Sequence, residues 1–195
     1  MQTRIAALLL AAGLSRRMGT SKQLLPLADK PVIHHGLDSL LAGPARPVVV
    51  VLGPGGEPVQ QAIAAFPVTI AWNREPEADM AGSVRAGLAM LPPDCTGVLI
   101  QLVDHPLVTP ATVQAICAAH VATPQAIIIP TCNNRQGHPT LFPRPILDEL
   151  TPGAILRNLV QKDPKRVTRL TVDDEGIFLD MDTPADYEAL RQRLS

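Results

Sequence analysis

Aromatic side chains are nearly absent: three Phe, one Tyr and one Trp in 195 residues. Ala, Val, Leu and Ile must therefore build the core, and a stacking platform for nucleic-acid bases is excluded. An excess of charge of one sign is missing too. Seventeen Lys and Arg stand against eighteen Asp and Glu, for a formal net charge of -1, and the cations are scattered, so the basic footprint that DNA or RNA requires is lacking. The expected partner is small. Cysteine is scarce, and Cys95, Cys117 and Cys132 have no C-x-x-C spacing. Their odd number closes no complete disulfide framework, so they read as free thiols of a reducing compartment. Long hydrophobic runs are lacking as well. The run Ile5 to Ala12 follows Arg4 as the core of a signal peptide follows its basic residue, yet it passes straight into a polar Gly/Ser/Arg loop and reads as a buried strand. No other run nears the roughly 18 residues of a membrane helix. These absences predict a cytoplasmic protein that binds neither nucleic acid nor membrane.

What is present is enough chain for one domain, residues 1–195, within the roughly 100 to 200 residues expected. Short apolar runs alternate with stretches of helical period, the pattern of βαβ units and a largely parallel sheet. Ile5 to Ala11, Pro47 to Leu52, Val68 to Trp72, Val98 to Val103 and Ala126 to Pro130 are the expected strands. Val59, Ala62, Ile63 and Phe66 recur at helical spacing, as do Val113, Ile116, Cys117, His120 and Val121, and each set predicts one apolar stripe. Thr109-Pro110 and Thr183-Pro184 place an N-cap hydroxyl before a proline at N1, with Asp186 at N3 of the second. Thr140 to Phe142 reads as a further strand, and Thr168 to Val172 with Ile177 to Leu179 as a hairpin across Asp173 to Gly176. The twenty prolines are spread among loops, where they limit the entropy of the unfolded chain.

After the first strand the chain reads Leu10-Ala11-Ala12-Gly13-Leu14-Ser15-Arg16-Arg17-Met18-Gly19-Thr20-Ser21-Lys22. Such a loop can wrap a triphosphate. Gly13 admits the backbone to the phosphates, Ser15 adds a hydroxyl, and Arg16, Arg17 and Lys22 offset charge that repels an incoming nucleophile. The plainer alternative is a glycine turn with solvated arginines. A Walker A loop is excluded, because five residues separate Gly13 from Gly19 and two more intervene before Lys22. Gly53-Pro54-Gly55-Gly56 is no dinucleotide fingerprint, since Pro58 stands where the third glycine belongs.

The loop resembles the L-A-A-G-x-S-x-R-M-G-x-x-K signature of nucleotidyltransferases similar to molybdenum cofactor cytidylyltransferase, and matches it at every fixed position. The likeness continues through Lys22-Gln23-Leu24-Leu25-Pro26-Leu27, Val103-Asp104-His105-Pro106, Gly137-His138-Pro139-Thr140-Leu141-Phe142 and Asp180-Met181-Asp182-Thr183-Pro184, close to the whole chain. It implies an α/β fold: one Rossmann-like, three-layer domain of nucleotide-diphospho-sugar transferase type with a mostly parallel, mixed sheet. It also implies transfer of CMP from CTP to molybdopterin, giving a pterin-cytosine dinucleotide and pyrophosphate, with transient docking to a molybdenum enzyme client. The acceptor phosphate attacks the α-phosphorus in line, and because that phosphate is already ionised no general base is assigned.

On this reading Leu10, Ala11, Ala12, Gly13, Ser15, Arg16, Arg17 and Lys22 bind the nucleotide, with Lys22, Arg17 and Asp104 as catalytic groups. Asp104 follows an apolar strand, at the carboxyl end of the sheet where open α/β folds bind ligands. Mg²⁺ takes one or two carboxylates plus phosphate oxygens and water, so Asp104 and Asp180 are the expected metal ligands. Asp180 matches the metal-binding acid of relatives with a D-x-G-T segment. Asp182 stands where they have glycine, and either holds the acceptor or caps the next helix. As caps of the Thr-Pro helix both acids would instead be structural. Asn73, Gly82 and Ser83 resemble the second nucleotide-contacting stretch, although Asp79-Met80-Ala81-Gly82-Ser83-Val84 departs from the family's G-M-x-x-S-L, and Ser83 also suits an N-cap. His105, in place of an expected glutamine, and His138 are assigned to the acceptor, each with a structural loop role as the alternative. His34 and His35 lack metal-ligand spacing and receive no role. Guanylyl relatives carry L-A-G-G where this chain has Ala12, whose methyl would crowd a purine. The rivals are guanylyl transfer to the same pterin, nucleotidyl transfer to a sugar phosphate, and a non-catalytic nucleotide-binding chaperone.

Overall fold

The computed structural model describes residues 3–13, 21–75, 79–151 and 153–194. In chain order the elements are β1 (Ile5–Ala11), a 3-10 turn (Lys22–Leu24), β2 (Pro26–Leu27), β3 (Lys30–Pro31), α1 (Val32–Ala42), β4 (Val48–Leu52), α2 (Glu57–Ala62), β5 (Thr69–Trp72) and α3 (Met80–Leu88). There follow β6 (Gly97–Leu102), α4 (Pro110–Ala122), β7 (Ile127–Cys132), β8 (Arg135–Gln136), β9 (Thr140–Pro143), α5 (Arg144–Leu147), α6 (Leu156–Lys162), β10 (Val167–Thr171) and α7 (Pro184–Arg193). The main sheet runs β10-β7-β9-β6-β1-β4-β5, with β8 folded back on β7. β1 pairs in parallel with both β4 and β6, whereas β9 runs antiparallel to β6 and β7. The sheet is therefore mixed and mostly parallel.

Both faces are covered, which is why the strands read as continuous apolar runs. On β1, Ala7, Leu9 and Ala11 face one core cluster with Ile33 and Leu37 of α1 and Val113 and Ile116 of α4. Ala6, Leu8 and Leu10 face the other, with Val84 and Leu88 of α3 and Leu156 and Leu159 of α6. Three layers result. Gly97 at the start of β6 leaves room for the fully buried His120 of α4, since a Cβ there would lie 2.4 Å from the ring Nε2.

Two expectations need correction. The segments around Thr168 and Ile177 form no hairpin: β10 pairs in parallel with β7, and Glu175–Phe178 is a 3-10 turn. Asp174 is the reason. Its buried carboxylate accepts from Thr109 N at 2.9 Å, Thr109 Oγ1 at 2.8 Å, Thr112 Oγ1 at 2.6 Å and Gly176 N at 2.9 Å, which turns the chain away after β10 and clasps it to the start of α4. Val121 leaves the expected stripe of α4 and is 58% exposed, because the five named positions span more arc than one face can bury. The expected helix starts hold. Thr109 caps α4, and Thr183 and Asp186 form a capping box on α7. Among the described residues no helix is long and apolar enough to cross a membrane.

Candidate active site

The parallel strands β1, β4, β5 and β6 end on one side of the sheet, and the loops that leave them carry the chemistry. The turns after β1 and β4 touch backbone to backbone: a Cβ on Gly53 would stand 2.6 Å from the Ala12 carbonyl oxygen. Gln23, 4% exposed, donates its amide to the carbonyls of Ala11 at 2.9 Å and Gly13 at 3.0 Å and holds the beginning of the glycine-rich loop. Leu10, Ala12, Gly13, Lys22, Ser83 and Asp104 line one cleft of about 210 Å³. Ser15, Arg16 and Arg17 lie outside the described residues.

Lys22, on the 3-10 turn and nearly buried, bridges two carboxylates that come from distant segments. Its Nζ donates to Asp104 Oδ2 at 2.8 Å and to Asp182 Oδ1 at 3.2 Å. Asp182 and Asp180 precede the α7 cap, and Thr183 and Asp186 perform the capping. Asn73 Nδ2 donates to Ser83 Oγ at 3.1 Å, with both residues buried. Ser83 is not an N-cap. That place belongs to Asp79, whose carboxylate accepts from Gly82 N at 2.5 Å and from Gly153 N at 2.9 Å. The Gly82 N–H chiefly holds Asp79 below the usual carboxylate range.

β9 begins beside the end of β6, Thr140 opposite Ile100, and this antiparallel insertion delivers Gly137-His138-Pro139 to Asp104 and His105. The His105 and His138 rings lie 5.1 Å apart, centroid to centroid. Burial chiefly depresses both imidazoles: His138 falls to about 4, with His105 beside it adding to the effect, while Asp104 opposes the fall of His105. Both are neutral at pH 7. His105, His138 and Asp180 line a second, larger cleft of about 660 Å³, walled by Ile129, Phe142, Val160 and Phe178 and bearing Arg135 and Arg157. Asp180 therefore faces the larger cleft, and Asp182 meets Lys22. His34 and His35 hydrogen-bond the carbonyls of Ala62 and Leu27.

The donor set suits a hard divalent cation. Asp104 Oδ1 is buried without a hydrogen-bond partner among the described residues, and His105 Nε2 at 3.9 Å is too far to supply one. The described residues contain no cluster of three or more His, Cys, Asp or Glu side chains placed to hold a metal, so an ion here would need oxygens from a substrate or water to complete its shell. Gln23, Arg135, Arg157 and Phe178 escape the sequence reading. The Asn133-Asn134 pair between two strands is a hairpin signal that points to Arg135. Arg157 has no such signal, and Phe178 is hidden by the mistaken hairpin.

The sequence profile of the MobA-like NTP transferase domain covers residues 7–169. The bifunctional protein GlmU of Halorhodospira halophila is 35% identical over 84% of this chain. Only 33% of that protein is matched, so the chain spans about a third of the length of this curated relative. The crystal structure of Rv0371c from Mycobacterium tuberculosis superposes with a TM-score of 0.87 at 32% identity, covering 98% of this chain and 99% of that one. A complex of the same protein with manganese gives 0.84 at 30%, covering 98% and 100%. The 4-diphosphocytidyl-2C-methyl-D-erythritol synthase of Anaerococcus prevotii shares the fold, with a TM-score of 0.77 at 12% identity over 98% and 96% of the chains. The architecture is that of the nucleotide-diphospho-sugar transferases, and the chain belongs to the MobA-like NTP transferase family.

Proposed function

We propose that this protein transfers CMP from CTP to the phosphate of a molybdopterin-type pterin and releases pyrophosphate. One observation carries the reading: Lys22 joins Asp104 to Asp182 where the smaller cleft, beside the glycine-rich turn, approaches the larger one. A triphosphate in the smaller cleft has Lys22 and the backbone of Ala12 and Gly13 around its phosphates, with Ser15, Arg16 and Arg17 following in the same loop. An acceptor phosphate in the larger cleft attacks the α-phosphorus. The new P–O bond forms as the bond to pyrophosphate breaks, and pyrophosphate carries away the electron pair. Positioning and charge stabilisation account for most of the catalysis of such a step.

Mg²⁺ would be held by Asp104, through its unpartnered oxygen, and by Asp180, with Asp182 as the alternative second ligand. When bound it neutralises phosphate charge that otherwise opposes attack. That Rv0371c is known as a complex with manganese supports the binding of a divalent ion. Ala12 lines the smaller cleft, and its methyl favours a pyrimidine over a purine. His105, buried, and His138, half-buried, are both neutral beside the larger cleft and suit hydrogen bonding to a heterocyclic acceptor, and the apolar wall suits a flat ring better than a sugar phosphate, whose hydroxyls need polar partners.

The test incubates the purified chain with Mg²⁺, molybdopterin and each NTP, and identifies the product by mass. A cytosine dinucleotide should form, with CTP preferred over GTP by at least about tenfold in kcat/KM. Ala12→Gly should narrow that preference. A wild-type preference for GTP that Ala12→Gly leaves unchanged defeats the steric argument. A sugar nucleotide as the favoured product, or no pyrophosphate at all, points to the rival acceptor or to a non-catalytic chaperone.

A further inference from the structure

The larger cleft holds two guanidinium groups that no carboxylate of the described residues neutralises. Arg4, Arg144, Arg166, Arg191 and Arg193 each lie on a carboxylate. Arg135 and Arg157 face the cleft and have no carboxylate partner among the described residues. Arg135 is nevertheless well placed. It follows a two-residue turn in which Asn133 and Asn134 take φ of 51° and 60°, the geometry of a tight β-hairpin, and its guanidinium lies 3.9 Å from the centre of the Phe178 ring. Stacking on that face holds the planar fork without consuming its N–H donors, which point outward in the guanidinium plane. Phe178 and Asp180 are two residues apart, so their Cα atoms are at most about 7 Å apart. An anion on Arg135 therefore sits close to Asp180, which lines the same cleft.

We propose that Arg135 and Arg157 form a clamp for the phosphate of the acceptor, a phosphomonoester dianion carried on a ring that packs against Ile129, Phe142 and Val160. This rests on the larger cleft being the acceptor site of the proposed transfer. The clamp gives the acceptor its phosphate requirement, while the apolar wall selects the ring. Arg suits the task because its fork matches two phosphate oxygens at once, which the point charge of Lys does not.

The test is calorimetric binding of phenyl phosphate, with inorganic phosphate and a hexose 6-phosphate as comparison probes, to the full chain with Mg²⁺ and CTP present. Arg135→Ala and Arg157→Ala should each weaken phenyl phosphate by at least about tenfold, the scale of a lost charge-assisted pair, and Phe178→Leu should weaken it less. Arg135→Lys should recover only part of the affinity. CTP affinity should stay within about twofold in every variant, which shows that the fold and the nucleotide site are intact. No binding of phenyl phosphate to wild type, or unchanged affinity in the Arg135→Ala/Arg157→Ala double variant, overturns the clamp. If phenyl phosphate binds through these arginines but no pterin dinucleotide is ever formed, the clamp stands and the pterin reading falls. If the dinucleotide forms with an unchanged acceptor KM in the double variant, the clamp alone falls.

Discussion

At the scale of single residues, the site turns on the division of labour among Lys22, Asp104, Asp180 and Asp182. Lys22 is a nearly buried ammonium held by two carboxylates, a preorganised charge of the kind that stabilises a transferring phosphoryl group. Lys22→Ala should lower kcat by roughly 10² to 10³. Steady-state rates within about threefold of wild type, the scale of a minor solvated side chain, would remove Lys22 from the chemistry. The two acids near α7 separate in a Mg²⁺ titration. Asp180→Asn should raise the Mg²⁺ concentration needed for half-maximal rate, because the proposed carboxylate ligand is lost. Asp182→Asn should lower the rate with little change in metal dependence, because its contact is with Lys22. The reverse pattern makes Asp182 the second ligand.

At the scale of elements, Asp174 organises the segment between β10 and α7, whose Ile177 and Met181 are buried in the core. That carboxylate takes four donors from Thr109, Thr112 and Gly176. It thereby sets the turn that carries Phe178 and leads to Asp180. Gly137 crosses the same turn so closely that a Cβ would meet the Ile177 carbonyl oxygen at 2.0 Å, and His138 N donates to that oxygen at 2.7 Å. Asp174→Ala leaves buried donors without an acceptor and should cost about 3 kcal/mol in denaturant unfolding. A loss under about 0.5 kcal/mol, typical of an ordinary surface change, would mean that the clasp contributes little.

At the scale of the whole molecule, burial of three histidines makes stability depend on pH. His105, His120 and His138 are all pushed down, in each case first by burial, and His138 reaches about 4. The unfolded chain takes up these protons near pH 6.5 while the folded one resists. Stability is therefore complete above about pH 6.5 and falls as pH drops through the window towards about 4, by on the order of 2 kcal/mol from His138 at pH 5. Asp79 and Asp186, lowered by hydrogen bonds to Gly82 and Thr183, contribute stability that is present above the ordinary carboxylate value and disappears only at more acidic pH. Urea midpoints measured from pH 7.5 to 4.5 should fall, and His138→Gln should make the slope shallower. A flat profile over pH 5 to 6.5 contradicts the burial of these rings as neutral bases.

The sequence by itself determined the elements whose signals are local. β1 reads from its apolar run to the residue, Thr109 and Thr183 mark helix starts by their own cap chemistry, and the Leu10 to Lys22 motif identifies the family. The strands buried on both faces need no neighbour to be recognised, because period and composition already express that burial. Other features depend on residues far apart in the chain. β10 pairs with β7 instead of the nearer segment at Ile177, since Asp174 finds its donors some sixty positions away in α4. Asp182 comes to Lys22 from 160 positions away, and Arg135 finds Phe178 on the lining of the larger cleft. Only the tertiary structure decided these meetings, because a side chain's partner is set by where the sheet order and its single long antiparallel insertion bring the loops, and periodicity carries no record of that.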